Sequence, residues 1–339
     1  MSNKITLEKA DEIADTIFGI KAIVIELPGY EDENFKLTTA SGDSFILKVS
    51  QPEESVDYLE FQNDLLKHLH AKNLAVNLPK VIPNIEGDFI STITSEGKKR
   101  KVRLLTWVEG RLWVKVHPKS KKLRYHLGKQ AGRLTIAMLD FKHTHSHREF
   151  EWDLANASWT YGCLHLFSSE KKEIISCFQQ LYSEIQNNYL NLPKSIIHND
   201  LNNYNILVSE DFKDPTVSGI IDFGDVIHTQ TINDLAILLA YAIMDVPDPL
   251  DVTLDVLKGY HEHYRFSEDE LNCLYTLVAM RLIVSITKAT IHKADDSSSA
   301  YHVSSEKPAW EALKKWSQVS PEFAENSFRN VCGFDAHPS

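Results

Sequence analysis

Cysteine is scarce in this chain: Cys163, Cys177, Cys273 and Cys332 are the only four in 339 residues, and no two form a CxxC pair. Their spacing excludes a disulfide framework and a zinc ribbon, and it reads as reduced thiols of a cytoplasmic protein. Basic charge is also short. With 36 Lys and Arg against 47 Asp and Glu, the net charge of -11 argues against a nucleic-acid surface or an anionic-membrane surface. The longest apolar run, Leu235 to Met244, is too short to span a bilayer. Met1 to Ala10 is polar and charged, unlike a signal peptide. There is no internal repeat and no low-complexity tract; Asp295 to Ser305, rich in Asp and Ser, is the expected mobile loop. What remains is 43% apolar composition on a chain long enough for one large core or two moderate ones, and two lobes is the natural reading.

What is present is concentrated between Ser195 and Asp222. Ile196 and Ile197 end a short apolar run, so His198 and Asp200 fall on the loop leaving a strand, with Leu201 as apolar anchor and Asn202 and Asn203 as turn formers. Asn205 opens a second run, Ile206 to Val208, and its side chain can face back towards Asp200. A third run, Val217 to Ile221, delivers Asp222, and Gly224 is expected to take the sharp turn after Phe223. A carboxylate that can meet a hydroxyl, with an amide and a second carboxylate for a magnesium ion, is the set that phosphoryl transfer from ATP requires.

His198-Asn199-Asp200-Leu201, with Asn205 following, resembles the catalytic loop of the protein-kinase-like superfamily, and Ile221-Asp222-Phe223-Gly224 resembles its metal-binding motif. Few residues separate Gly224 from Asp234, which leaves no room for the activation segment on which protein kinases dock a polypeptide. The match is therefore to the aminoglycoside phosphotransferase and choline kinase branch, and within it the chain looks most like the hydroxylysine kinases and their bacterial relatives. The resemblance implies an α+β, bilobal protein-kinase-like fold: a small, mainly antiparallel N-terminal lobe with one key helix, residues 1–107, and a larger, mainly helical C-terminal lobe, residues 108–339. It implies Asp200 as catalytic base, His198 as a brace or a second proton-handling group, Asn205 and Asp222 as Mg²⁺ ligands, and Asp234 as support for the catalytic-loop backbone. A simple N-cap of the helix Leu235 to Met244 is the other reading of Asp234.

From the start of the chain, Leu7, Ala10, Ile13 and Ile17 have helical spacing, with Gly19 as a stop. Ala22 to Leu27 reads as a strand running into Pro28 to Phe35, where a phosphate-covering loop belongs. That stretch has one glycine, no GxGxxG, and three acids, so an acidic hairpin tip is an equal reading. Phe35 to Ser50 reads as a hairpin turning at Ser41-Gly42-Asp43. Lys48 on its return strand is either an edge lysine facing solvent or, as the resemblance implies, the lysine that holds the α- and β-phosphates. Residues 53–71 form an amphipathic helix carrying Tyr58, Phe61, Leu65 and Leu69 on one stripe. Glu60, beside that stripe, is the expected partner of Lys48, while Glu53 and Glu54 read as first-turn acids. A second hairpin turns at Glu96-Gly97-Lys98 and ends in Leu105 and Trp107, where the resemblance places the adenine-binding hinge.

Beyond Pro118, Leu123, Leu127, Ala131, Leu134 and Met138 mark one long helix to about Asp140. His143, His145 and His147 alternate; without a fourth ligand at a usual spacing they read as an exposed loop rather than a metal site. Trp152 and Asp153 either line the acceptor pocket, where an aromatic beside an acid suits a cationic substrate, or serve as a loop anchor and a helix cap. Arg281 lies inside the strongly apolar stretch Leu274 to Ile291, so its charge needs a partner: an internal acid or a substrate carboxylate. A last helix is expected from about Pro308 to Ser317.

The function expected is transfer of the γ-phosphoryl group of ATP to a small hydroxylated acceptor, with hydroxylysine the leading candidate. Homoserine, choline, ethanolamine and aminoglycosides are alternatives within the same branch, because specificity lies in the pocket and not in the motif. A nucleotide-binding pseudokinase and a kinase of protein hydroxyls are the competing classes. The sequence sets no oligomeric state.

Overall fold

The computed structural model describes residues 4–29, 32–294 and 300–335, and the chain divides into two compact units. Unit 1 comprises Met1–Asn73, Asn77–Glu109 and His143–His145; unit 2 comprises Leu74–Val76, Gly110–Lys142 and Ser146–Ser339.

Unit 1 begins with α1 (Leu7–Phe18), capped by Thr6 Oγ1, which accepts the Lys9 N–H. Gly19 ends it in the left-handed conformation at φ 67°. There the amides of Gly19 and Ile20 return to the carbonyls of Asp15 and Ala14, a closure that suits glycine because it lacks Cβ. Leu7, expected on the apolar stripe, is 46% exposed; the buried stripe is Ala10, Ile13, Ala14 and Phe18.

Next come β1 (Ala22–Leu27), β2 (Glu33–Thr39), β3 (Ser44–Val49), α2 (Val56–Ala71), β4 (Val81–Ile82), β5 (Ser91–Ser95) and β6 (Lys98–Thr106). The strands form an antiparallel sheet in the order β1-β2-β3-β6-β4, with β5 paired to β6. Phe35, Leu37, Leu47, Val49, Val102 and Leu104 share one core with Ile13, Ala14 and Phe18 of α1. Period-two alternation sends Lys48 and its register partner Arg103 to the other face. Here Arg103 is buried and donates to Asn63 Oδ1 at 3.1 Å and Gln62 Oε1 at 2.6 Å, both on α2. Ser55 precedes the first turn of α2, so Glu53 and Glu54 lie ahead of the helix and Asp57 is its first-turn acid.

Unit 2 opens with β7 (Arg111–Leu112) and α3 (Lys121–Met138), then an irregular helical stretch Leu154–Leu166, α4 (Ser169–Leu190), β8 (Lys194–Ile197), β9 (Ile206–Val208), β10 (Val217–Ile220) and β11 (Ile227–Gln230). Two small antiparallel sheets result: β10-β9-β7, irregular between Val217 and Gly219, and β11-β8. Five helices follow: α5 (Ile232–Ala242), α6 (Pro249–His261), α7 (Glu268–Ala294), α8 (Ala300–Trp316) and α9 (Pro321–Cys332).

Three glycines let α3 and α6 approach backbone to backbone. A Cβ on Gly128 would lie 1.8 Å from the Val256 carbonyl oxygen, and one on Gly259 would lie 2.0 Å from that of Tyr125. Gly132 is closed in the same way by the Tyr260 carbonyl at 2.6 Å. By length and composition α7 could cross a membrane, but 83% of its apolar window is buried against the rest of the chain, as in a core helix. It packs on α4, α5, α8 and α9.

Several expectations change here. Helix α8 starts at Ala300 and carries Pro308 inside it, so it begins earlier than the expected start near Pro308 and occupies part of the expected loop Asp295 to Ser305. The remainder of that loop, residues 295–299, lies outside the described residues. It is not the last helix: α9 follows, opened by Ser320 and Pro321 and closed by Gly333 at φ 83°.

Candidate active site

In unit 1, Lys48 is nearly buried, with 11% of its side chain exposed, and Asp32 brings a carboxylate oxygen to 3.4 Å from its ammonium. Glu60, the expected partner, points elsewhere. It falls on the exposed stripe of α2 with Asp57, Asp64 and Lys67, whereas Tyr58, Phe61, Leu65 and Leu69 take the buried one. Helical spacing turns Glu60 to solvent, and the sheet-facing polar positions of α2 are instead the amides Gln62 and Asn63. Leu105 is buried on β6, opposite Ile46 and Val81. Trp107 follows the strand, donates its amide to the Ser44 carbonyl at 3.0 Å, and carries the Lys36 ammonium 4.2 Å above its ring.

In unit 2, the loop between β8 and β9 holds His198, Asp200 and Asn205. Asn199 takes a left-handed φ of 64° inside it. That strain is held by Asp234 in the first turn of α5, whose Oδ2 accepts the His198 N–H at 3.3 Å and whose Oδ1 accepts the Asn199 N–H at 2.9 Å. Burial pushes the Asp234 carboxyl up to about 7, against the pull of those two amides. The N-cap position belongs to Thr231.

Both His198 nitrogens are engaged by backbone. Nε2 lies 3.1 Å from the Ile221 carbonyl, and Nδ1 accepts the Asp200 N–H at 3.3 Å. The first contact makes Nε2 the donor and the second makes Nδ1 the acceptor, which sets one neutral tautomer. Burial lowers the pKa of this ring to about 4, so it stays neutral near pH 7. Both ring nitrogens of this histidine are thus occupied by backbone groups.

Asp200 accepts from Asn202 Nδ2 at 2.8 Å and Asn205 Nδ2 at 2.7 Å, both on Oδ2, and from Arg281 on Oδ1 at 3.2 Å. Asn205 Nδ2 also donates to the Asp200 carbonyl at 2.9 Å. With both amide hydrogens spent on Asp200, Asn205 Oδ1 is the atom left for a cation. Burial raises the Asp200 carboxyl, Arg281 and the two asparagines lower it, and the nearby Asp222 raises it. Asp222 follows β10 with an exposed side chain and a left-handed φ of 61°. The sharp turn is therefore taken at Asp222 and not at Gly224, because Asp tolerates that region better than most residues with a Cβ.

A carboxylate and an amide oxygen are hard donors that suit a magnesium ion sharing its shell with phosphates. No cluster of three or more His, Cys, Asp or Glu able to hold a metal occurs among the described residues. The histidines of the run meet rings and a carboxylate. His143 stacks on Phe61 at 5.2 Å, His145 lies 3.8 Å from Asp57, and His147 packs on His228 at 4.5 Å.

Trp152, Asp153 and Arg281 each have partners within the chain. Asp153 is 6% exposed and caps the helical stretch that follows: its Oδ1 accepts the Ala155 N–H at 3.0 Å and the Thr229 hydroxyl at 2.9 Å. The cation over the Trp152 ring is the protein's own Arg281, 4.8 Å from the centroid. Arg281 in turn finds its acid in Asp200. Sequence spacing gave no sign of this pairing, since 81 residues separate the two.

Comparison with known proteins adds the family. A sequence model of the phosphotransferase enzyme family matches residues 24–269. Hydroxylysine kinase of Bos taurus is 30% identical over 307 residues, 83% of this chain and 81% of that one. Hydroxylysine kinase of Danio rerio is 26% identical over 339 residues, 95% of each chain. Among solved structures, an amicoumacin kinase in complex with AMP-PNP and Ca²⁺ superposes with a TM-score of 0.70 at 17% identity, covering 98% of this chain and 97% of that one. A microcompartment-associated aminopropanol kinase also gives 0.70, at 18% identity, covering 96% and 98%. The architecture is thus the two-lobed kinase-like fold, and with nearly three-quarters of its length inside the family match, the chain belongs to the phosphotransferase enzyme family of small-molecule kinases.

Proposed function

We propose that this protein transfers the γ-phosphoryl group of ATP to the hydroxyl of hydroxylysine. The arrangement of Asn205 and Asp200 carries the reaction type: an amide turned so that its oxygen is left for a cation, beside a carboxylate held by the two asparagines on Oδ2 and by Arg281 on Oδ1. The choice of acceptor rests on the relatives named hydroxylysine kinase, which match over most of both chains.

In this reading residues 1–107 form the nucleotide-binding lobe and residues 108–339 the catalytic and acceptor-binding lobe. Lys48 binds the α- and β-phosphates, and Leu105 and Trp107 line the adenine position. Asp200 orients the acceptor hydroxyl and takes its proton as the oxygen bonds to the γ-phosphorus. Asn205 and Asp222 hold Mg²⁺, which when bound neutralises charge on the phosphates. His198 and Asp234 hold the loop in shape. All four cysteines are free thiols, in keeping with a cytoplasmic enzyme.

The test is a coupled ADP-release assay with Mg-ATP against hydroxylysine, homoserine, choline, ethanolamine, aminopropanol and an aminoglycoside, run beside Asp200→Ala. Hydroxylysine turnover that falls by about 10² or more in the variant, with ATP binding little changed, is the expected result. ATP binding without turnover on any acceptor would overturn it in favour of a nucleotide-binding module.

A further inference from the structure

The two oxygens of Asp200 are not equivalent. A carboxylate oxygen offers two in-plane lone pairs. Those of Oδ2 are taken by Asn202 and Asn205, whereas Oδ1 is met by Arg281 Nη2. A hydroxyl arriving at Asp200 therefore finds its vacancy on Oδ1, the oxygen that the guanidinium holds.

Arg281 is an unusual place to spend a charge. It is 1% exposed, in the middle of α7, and taking a guanidinium out of water costs several kcal/mol unless its donors are met. They are met by groups from three separate segments. Nη1 donates to the Trp152 carbonyl at 3.0 Å; Nη2 reaches Asp200 Oδ1 and, at 3.5 Å, the Tyr241 hydroxyl on α5. The cation lies 4.8 Å from the centroid of Trp152 and 5.5 Å from that of Tyr241. Nε is buried without a partner, so the group is not placed for its own best hydrogen bonding. A side chain serving stability alone would do better as a hydrophobe of similar volume.

We propose that Arg281 is a positioning residue: it fixes the Asp200 carboxylate with Oδ1 as the proton-accepting oxygen and ties the segment at Trp152 to that oxygen. One helix thereby sets both where the base points and how the neighbouring loop lies against it. This rests on the kinase reading above, and the two fail separately.

The experiment compares wild type with Arg281→Met, Arg281→Lys and Arg281→Ala, in steady-state kinetics with Mg-ATP and hydroxylysine and in nucleotide binding without acceptor. Arg281→Ala is also assayed with added guanidinium or methylguanidinium. Expected is a fall in kcat of about 10² in Arg281→Met, with KM for ATP within about threefold, because a displacement of the base near 1 Å costs about that much. Arg281→Lys should fall between, and exogenous guanidinium should restore Arg281→Ala by about tenfold. A folded Arg281→Met with kcat within threefold of wild type would overturn the proposal, as would loss of nucleotide binding in step with kcat and no rescue. If wild type itself turns over no acceptor, the kinase reading fails instead. The crystal structure of Arg281→Met then decides, since an Asp200 carboxylate and a Trp152 segment left in place would refute positioning without any turnover.

Discussion

Asp234→Asn should lose its stability deficit against wild type as pH rises. The Asp234 carboxyl, ordinarily near 3.8, is raised by burial to about 7 in the folded protein. Between those values the native state keeps a proton that the unfolded chain has released, so wild-type stability falls as pH rises through this window. A shift of about three units corresponds to about 4 kcal/mol in full, and to about 2 to 3 kcal/mol between pH 5 and pH 8. Asparagine cannot ionise and lacks this slope. It does bring an NH₂ where a second acceptor stood, leaving the N–H of His198 or Asn199 without a partner at a cost of about 1–3 kcal/mol. The variant should thus be less stable than wild type at pH 5 and level with it, or more stable, at pH 8. Urea unfolding at the two pH values, followed by tryptophan fluorescence, measures both differences. A stability difference that is flat with pH, or that grows as pH rises, would refute the account of Asp234 as a buried carboxylate held against its charge. Turnover should fall by about tenfold or more at either pH, because the same two bonds shape the backbone at Asn199 on which Asp200 stands.

The other predictions follow from single contacts. His198 has its pKa lowered to about 4 by burial, so its contribution has the opposite sign: stability is present above its ordinary value of 6.5 and is lost as pH falls towards 4. In His198→Gln the drop in unfolding free energy between pH 7 and pH 4.5 should be smaller than in wild type by about 2 kcal/mol, measured by urea titration. Gly128→Ala sets a Cβ 1.8 Å from the Val256 carbonyl, which α3 and α6 can relieve only by separating. It should cost about 3 kcal/mol or more, or prevent folding, read as a drop in Tm. Lys48→Met should lower kcat/KM for ATP on the order of 10², whereas Glu60→Gln, exposed on α2, should leave it within about twofold.

Much of the local structure could be read from residue order alone. The apolar runs at Ile196, Ile206 and Val217 became β8, β9 and β10. Gly19 ended α1 where it stood, and the turns at Gly42 and Gly97 fell between the strands they were expected to join. These features depend on neighbours in the chain, on period-two or helical spacing and on residues that permit positive φ. Helices α4, α6 and α9 escaped the reading although their caps are visible: Asp248 with Pro249 opens α6, and Ser320 with Pro321 opens α9. The glycine pair Gly128 and Gly132 was also in view, but its meaning depends on Gly259 lying opposite on another helix.

The sequence by itself determined the chemistry on offer: an aspartate, an asparagine and a second aspartate at short spacing after apolar strands, in a chain with no room for a polypeptide-docking segment. Tertiary structure alone decided which charges meet. Lys48 found Asp32 in place of Glu60, Asp153 went to a helix end, and Arg281 closed on Asp200 from 81 residues away. The physical reason is that side-chain type and spacing are local properties. The partner of a buried charge is chosen by which elements pack together, and that choice depends on the whole chain at once.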